Sequence, residues 1–162
     1  MEVGLTEHTN GANLPTLIHQ RVRECRDGKY PKSICRVSSG WVVLGDVQFL
    51  PGYSLLLPDP VVADPNHMNE ATRKTFFHEM SLVGDALLSV TEAVRINYEI
   101  LGNLEPALHA HIFPRYMTEP EELRLKPVWF YDWDAAPSFN LDRDRSIMDA
   151  IHDYLQKLCL TA

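Results

Sequence analysis

The chain has 162 residues, of which 45% are hydrophobic and 23% charged, and its formal net charge is -7. This length is ordinary for one globular domain with its own core. The acidic balance argues against a long nucleic acid as partner, since that needs a basic surface, but a small nucleotide needs only a few donors.

The cysteines and the N-terminal residues bear on the compartment. The chain has three widely spaced cysteines and no C-x-x-C pair: Cys25, Cys35 and Cys159. An odd number of cysteines without a paired motif favours a reducing compartment. The first residues, MEVGLTEHTNGANLP, have neither the basic nor the apolar part of a secretory signal. No apolar run reaches the roughly 18 residues of a membrane span. We therefore predict a cytoplasmic protein that does not interact with membranes.

The first half of the chain predicts one helix and three strands. Apolar residues recur at helical spacing from about residue 14 to residue 25, before an Asp-Gly pair. Two β-rich segments, 33–37 and 41–46, flank a Ser-Ser-Gly turn and predict a hairpin. A Pro-Gly turn at 51–52 then leads into SLLLP, residues 54–58, which is typical of a buried strand.

The second half predicts a long helix, two strands and a last helix. Residues 69–95 show helical periodicity, with Asn69 as the expected N-cap. Strands are expected at 96–101 and 107–113, an irregular aromatic segment at 119–139, and a helix at 142–158.

This element order indicates the fold class. Successive strands joined by tight turns favour antiparallel pairing. We predict an α+β fold with an antiparallel sheet of about five strands, one long helix packed on it, and helices at both termini. One domain is expected over residues 1–162, with its core at about 35–116.

Two histidines stand two residues apart in the segment ALHAHIF. Alternation along a strand places Ala107, His109, His111 and Phe113 on one face, and leaves the intervening apolar residues to bury against the long helix. Both imidazoles should therefore point the same way from a rigid scaffold.

Three interpretations of this pair are open. The histidines could be ordinary, partly exposed residues of a sheet surface. They could bind a metal, although His67, His78 and the cysteines form no recognisable ligand spacing with them. One imidazole could also attack phosphorus if its second nitrogen is held as a hydrogen-bond donor.

The segment GNLEPALHAHIFPRY resembles the signature of the histidine triad family, in which three histidines at alternate positions precede an apolar pair. The segment WVVLGDVQFLPGYSLLLPDP is similar to the strand, Pro-Gly turn and strand of that family. INYEILGN is similar to one bacterial branch, the dinucleoside polyphosphate hydrolase-like one. The resemblance covers about residues 35–116 and implies the histidine triad fold.

The resemblance also implies residue roles. His109 matches the family's nucleophile, which forms a nucleotidyl-histidine intermediate, and His111 matches the third histidine. The first histidine is replaced by Ala107, but the backbone carbonyl that helps to orient the nucleophile is still supplied there. Tyr53 stands where many members have histidine.

The resemblance further implies that Asn97 and Asn103 contact phosphate and that Asp46 or its neighbour contacts ribose. Arg115 is a candidate for balancing phosphate charge. Each has an ordinary alternative: Asn103 and Asp46 as turn residues, Asn97 as a partner of backbone groups, and Arg115 as a surface cation.

Four aromatic residues crowd the segment PVWFYDW, residues 127–133. They could stack on a base or cover a dimer seam, but rings in an extended, proline-containing segment more often pin it to the core. We favour packing.

The function that the resemblance implies is a hydrolase or nucleotidyltransferase acting at the α-phosphate of dinucleoside polyphosphates or nucleoside phosphoramidates. No metal is required by this scheme, although magnesium could accompany the substrate. A homodimer is expected. The alternative is a nucleoside monophosphate-binding module of the same fold that has lost turnover, which the replacement at Ala107 motivates.

Overall fold

The computed structural model describes residues 15–158, in which helices pack on a β-sheet. The elements in chain order are α1 (Leu17–Arg26), β1 (Ser33–Val37), β2 (Gly40–Leu44), β3 (Ser54–Pro58), α2 (Glu70–Val90), β4 (Arg95–Glu99), β5 (Ala110–Arg115), α3 (Glu121–Arg124) and α4 (Leu141–Lys157). The five strands are antiparallel in the order β1-β2-β3-β5-β4. The predicted α+β class and the five-stranded sheet are confirmed.

The sheet buries both of its faces. On one face α2 and α4 cover a cluster that includes Leu56, Ala110 and Ile112. On the other face α1 and the segment between β5 and α4 cover a second cluster, which includes Leu55 and Phe113. Alternate residues of β3 and β5 thus enter opposite layers, as the period of a strand requires. The candidate site lies on the α1 face.

The long helix begins where predicted and ends earlier. Asn69 caps it by accepting a hydrogen bond from the Thr72 amide at 2.9 Å. The helix was expected to reach residue 95, but it ends at Val90, and Thr91 is extended. The reason is strand pairing: the Val94 amide donates to the Arg115 carbonyl at 2.8 Å, which starts the β4–β5 ladder.

The strand predicted to carry both histidines also differs in its bounds, and only His111 lies on it. It was expected over 107–113 but runs from Ala110 to Arg115. The Leu108 amide donates instead to the Val62 carbonyl in the loop after β3, at 2.8 Å, so this part leaves the ladder. The predicted division of faces is nevertheless confirmed, because Leu108 packs in the α2 cluster and Ala107 in the α1 cluster.

The terminal regions are close to expectation. The first helix was predicted from residue 14, which lies outside the described residues, and α1 starts at Leu17 after a Thr16 cap. The segment expected to be irregular contains the short helix α3 and a 3-10 turn at Val128–Phe130. The last helix was predicted over 142–158 and spans Leu141–Lys157, capped by Asn140.

The cysteines of the described part are buried and unpaired. Cys25 and Cys35 form no disulfide, and burial raises the pKa of their thiols to about 11 and about 12. Such thiols stay protonated and unreactive at neutral pH. Cys159 lies outside the described residues. None of the helices described within residues 15–158 is long and apolar enough to cross a bilayer. The cytoplasmic location stays a prediction.

Candidate functional site

The two histidines line a cavity of about 270 Å³ on the α1 face of the sheet. Its lining combines aliphatic and aromatic side chains with the two histidines and three charged residues. The lining residues are Leu17, Ile18, Arg21, Asp46, Val47, Tyr53, Leu55, Glu105, His109, His111, Trp129 and Trp133. A concave, mostly apolar space with a few convergent polar groups is typical of a small-molecule site.

His109 is held in one tautomer by the backbone. Its Nδ1 lies 2.7 Å from the carbonyl oxygen of Ala107. Because a carbonyl oxygen can only accept, Nδ1 must carry the hydrogen, and the neutral ring then keeps its lone pair on Nε2. The side chain is 9% exposed. The backbone acceptor expected from the sequence is therefore present, although the family's first histidine is not.

His111 lies beside His109, with ring centroids 4.8 Å apart and planes at 73°. Its Nδ1 is 2.7 Å from the hydroxyl oxygen of Tyr53, and its ring stacks on Phe113 with centroids 5.6 Å apart. Burial, aided by His109 and Arg21, lowers the pKa of His111 to about 4. His111 is therefore neutral at physiological pH and can offer one ring N–H to a ligand.

Tyr53 is a site residue whose role sequence reasoning missed. It is 4% exposed, its ring stacks on Phe113 at 4.3 Å, and burial raises the pKa of its hydroxyl well above the ordinary value. The phenol therefore keeps its proton. Its backbone is fixed by hydrogen bonds to Leu50 and Gly45. The only sequence signal was the departure from histidine after the Pro-Gly turn.

Gly45 makes room for the Tyr53 ring. A methyl group added at Gly45 would lie 2.2 Å from Cε1 of Tyr53, far inside van der Waals contact. The ring cannot retreat, because Phe113 stacks against it and Trp133 meets it edge-on. A glycine here is thus a requirement of the Tyr53–His111 contact.

Asp46 lies in the same cavity as the histidines, within a charged cluster. It accepts hydrogen bonds from Arg21, a residue of α1, and from Lys32 at 2.7 Å. Burial would raise the pKa of Asp46, but the hydrogen bond from Lys32 and the charge of Arg21 outweigh it, and the pKa is lowered. Asp46 is therefore an anion. Sequence reasoning missed Arg21, because α1 lies outside the segment that carries the resemblance.

Arg115 and Asn97 do not line this cavity but contact each other. The Arg115 side chain is 6% exposed and pairs with Glu119, with Nη2 and Oε2 2.9 Å apart. Its Nη1 donates to the Asn97 side-chain oxygen at 2.7 Å, and the remaining N–H groups reach backbone carbonyls of residues 123–126. A guanidinium has five donors, and all are engaged, so none is left for a phosphate.

Asn103 is also separate from the histidines. It is exposed in the loop between β4 and β5, next to Gly102 with its positive φ of 88°, and it does not line the cavity. Of the six predicted site residues, the structure therefore brings together His109, His111 and Asp46.

The aromatic segment has two functions in the fold. Tyr131 and Trp133 pack on Phe49, each with ring centroids 4.8 Å from it, which matches the favoured packing interpretation. Trp129 differs, because it lines the cavity and remains 43% exposed. Its ring meets His111 edge-on at 5.8 Å.

Metal coordination was one interpretation of the histidine pair. Within residues 15–158, no group of three or more His, Cys, Asp or Glu side chains is placed to hold a metal ion.

Solved structures share this architecture. A histidine triad protein from Bradyrhizobium japonicum has a TM-score of 0.69 and 22% identity, covering 87% of this chain and 98% of its own. One from Marinobacter aquaeolei VT8 has a TM-score of 0.70 and 18% identity, covering 90% and 99%. The chain has the histidine triad fold. No family model matches its sequence, and no curated protein does.

The histidine triad fold extends beyond the segment that carries the sequence resemblance. Those two structures cover 87% and 90% of the chain, whereas residues 35–116 are only about half of it. A hypothetical histidine triad nucleotide-binding protein from Sulfolobus tokodaii covers 86% of this chain with a TM-score of 0.64 and 14% identity. The segments before and after the sheet are therefore part of the shared fold.

Proposed function

We propose that this chain belongs to the histidine triad family and acts as a nucleotide hydrolase or nucleotidyltransferase at an α-phosphate. The observation that carries the proposal is the 2.7 Å contact between Nδ1 of His109 and the Ala107 carbonyl. It supplies the tautomer that an imidazole nucleophile needs, from a buried and rigid position. The proposed substrates are dinucleoside polyphosphates or nucleoside phosphoramidates.

In the proposed first step, Nε2 of His109 attacks the α-phosphorus. The new P–N bond forms as the bond from phosphorus to the leaving oxygen or nitrogen breaks, and the electron pair departs with the leaving group. Neutral His111 can donate a hydrogen bond to the phosphoryl oxygen or to the leaving group if Tyr53 donates to its Nδ1. Arg21 is the cation that lines the cavity.

In the second step, water attacks the nucleotidyl-histidine. The P–N bond breaks, the electron pair returns to Nε2, and the nucleoside monophosphate is released with the oxygen of water. If a phosphorylated acceptor or phosphate replaces water, the reaction is a transfer. Asp46, ionised at neutral pH, is proposed to accept a hydrogen bond from a ribose hydroxyl. The scheme requires no metal, and magnesium could bind with the substrate phosphates.

Two observations favour a second candidate, a binding module without turnover. Ala107 replaces an imidazole, and Arg115 is sequestered by Glu119, so the cavity has less charge for a developing phosphorane than the sequence suggested. This alternative expects a nucleoside monophosphate to bind without any cleavage of a dinucleotide.

We also propose a homodimer, formed through the outer edge of β4. Within the described residues β4 pairs only with β5. Val94, just before this strand, is 57% exposed, and Tyr98, on the strand, is 39% exposed. An unpaired strand edge flanked by apolar side chains favours pairing with another copy. Light scattering after size exclusion measures the mass; a monomer at micromolar concentration would contradict this proposal.

The first experiment incubates the protein with diadenosine tetraphosphate, without metal and then with magnesium, and separates the products. His109→Ala tests the nucleophile, and His67→Ala, on an exposed turn, is the matched control. Turnover that disappears only in His109→Ala supports the mechanism. Turnover that survives in His109→Ala overturns it, and binding without turnover favours the module. Added inorganic phosphate distinguishes transfer from hydrolysis.

A further inference from the structure

Trp129 is an aromatic residue of the C-terminal segment that both lines the cavity and stays partly exposed. Its ring stacks on Trp133, with centroids 4.9 Å apart and planes at 13°, so one face is covered. The side chain is still 43% exposed while it lines the cavity of the two histidines. Burying the exposed part of such a ring would be favourable. The position therefore offers an uncovered aromatic surface in the cavity that holds the proposed nucleophile.

We propose that Trp129 is a stacking platform for the nucleobase of the bound nucleotide, an inference that rests on the proposed function. The platform and the aliphatic residues Leu17 and Ile18 line the same cavity, together with His109 and His111. A nucleotide has a flat apolar base and an anionic phosphate. The cavity has aromatic and aliphatic side chains for the base, and its two histidines for the phosphate. Stacking accepts a base by its π-face and needs no donor or acceptor at its edge.

The segment that carries Trp129 is held in place before a ligand binds. Arg115 donates to Glu119 and to carbonyls of residues 123–126, and the Tyr131 hydroxyl donates to Glu119 at 2.8 Å. The Trp133 indole N–H donates to the Val128 carbonyl at 3.2 Å. These contacts flank the 3-10 turn of Val128–Phe130 on both sides. A preorganised ring loses little conformational entropy on binding, which raises the affinity that stacking can supply.

Phe130 provides a matched comparison within the same turn. It is 60% exposed, more than Trp129, yet it does not line the cavity, and the Lys126 ammonium lies 5.1 Å from its ring centre. Removing the Phe130 ring therefore deletes an exposed aromatic from the same turn without touching the proposed platform.

The test measures by calorimetry the affinities for adenosine monophosphate and for ribose 5-phosphate, which lacks the base. The ratio of the two affinities reports on the base alone. Stacking on one aromatic ring predicts that Trp129→Ala lowers this ratio by at least about fivefold. Phe130→Ala should leave the ratio unchanged. Trp129→Phe, which keeps an aromatic ring, should retain most of the wild-type ratio. Urea midpoints of all variants report on folding.

The outcomes separate this inference from the proposed function. A wild-type protein that binds both ligands, with the same ratio in Trp129→Ala, overturns the platform and leaves the proposed function intact. A ratio lowered equally in Phe130→Ala also overturns it, because the effect would then not be specific to the cavity. A wild-type protein that binds neither ligand overturns both.

Discussion

Replacing Arg115 by alanine separates two roles for a residue that the sequence placed at the phosphate. The structure buries its guanidinium against Glu119, whose side chain is 4% exposed. Removing one partner of a buried ion pair leaves the other charge unpaired, which costs about 3–5 kcal/mol. We therefore expect Arg115→Ala to lower the free energy of unfolding by that amount, a large part of the roughly 5–15 kcal/mol typical of a domain.

The assay is urea unfolding followed by circular dichroism. With a denaturant slope near 2 kcal/mol per molar, the midpoint should fall by roughly 1.5–2.5 M. Glu119→Ala added to Arg115→Ala removes the unpaired carboxylate, so the double variant should lose less than the sum of the single losses. Lys126→Ala, which deletes an exposed cation from the same segment, should change the midpoint little.

The opposite result would restore the role implied by the resemblance. If Arg115→Ala unfolds within about 1 kcal/mol of the wild type, while its affinity for adenosine monophosphate falls tenfold or more, the guanidinium contacts phosphate in solution. Its five donors would then not all be engaged within the protein.

Four further predictions concern the site and the stability of the fold. Tyr53→Phe should lower kcat roughly two- to tenfold with little change in KM, since it removes one hydrogen bond to His111. Gly45→Ala should also lower kcat, because its methyl group clashes with the enclosed Tyr53 ring and strains the Tyr53–His111 contact; normal kcat in both variants would contradict the positioning role. The folded protein keeps His111 neutral down to about pH 4, whereas an unfolded chain protonates it near 6.5. The free energy of unfolding should therefore fall as the pH is lowered through this window, by up to roughly 3 kcal/mol. An NMR titration of the ring with a midpoint near 6.5 would disprove this. Buried Glu79 accepts hydrogen bonds from two backbone amides and from the Ser39 hydroxyl in the β1–β2 turn. Glu79→Ala should therefore lower the free energy of unfolding in urea by about 2–5 kcal/mol, and Glu79→Gln should lower it less. Equal midpoints for wild type and Glu79→Ala would argue against this turn as a stability element.

Local sequence patterns were sufficient for most of the fold. Helical periodicity and an N-cap at Asn69 located α2, because both depend on neighbours within one turn. The alternation of residues 107–113 assigned His109 and His111 to one face, because side-chain direction along an extended chain is local. The same alternation extends to Ala107 and Leu108, which precede β5 and enter opposite clusters.

The errors occurred where distant segments meet. Leu108 leaves the strand because its amide pairs with Val62, a residue more than forty positions earlier. The last turn of the expected helix is lost because Val94 pairs with β5. No local pattern contains this information, because it depends on which backbone groups the assembled sheet brings together.

The sequence by itself thus determined the class of fold and the common face of the histidine pair, and its resemblance to the histidine triad family implied the carbonyl that orients His109. Only the tertiary structure decided which other side chains reach that pair. Tyr53 meets His111 across 58 positions of sequence, and Arg115 turns to Glu119 because residues 119–126 fold back over it. The physical reason is that a charged or polar group takes the partner that desolvation leaves within reach, and that partner is set by packing rather than by spacing.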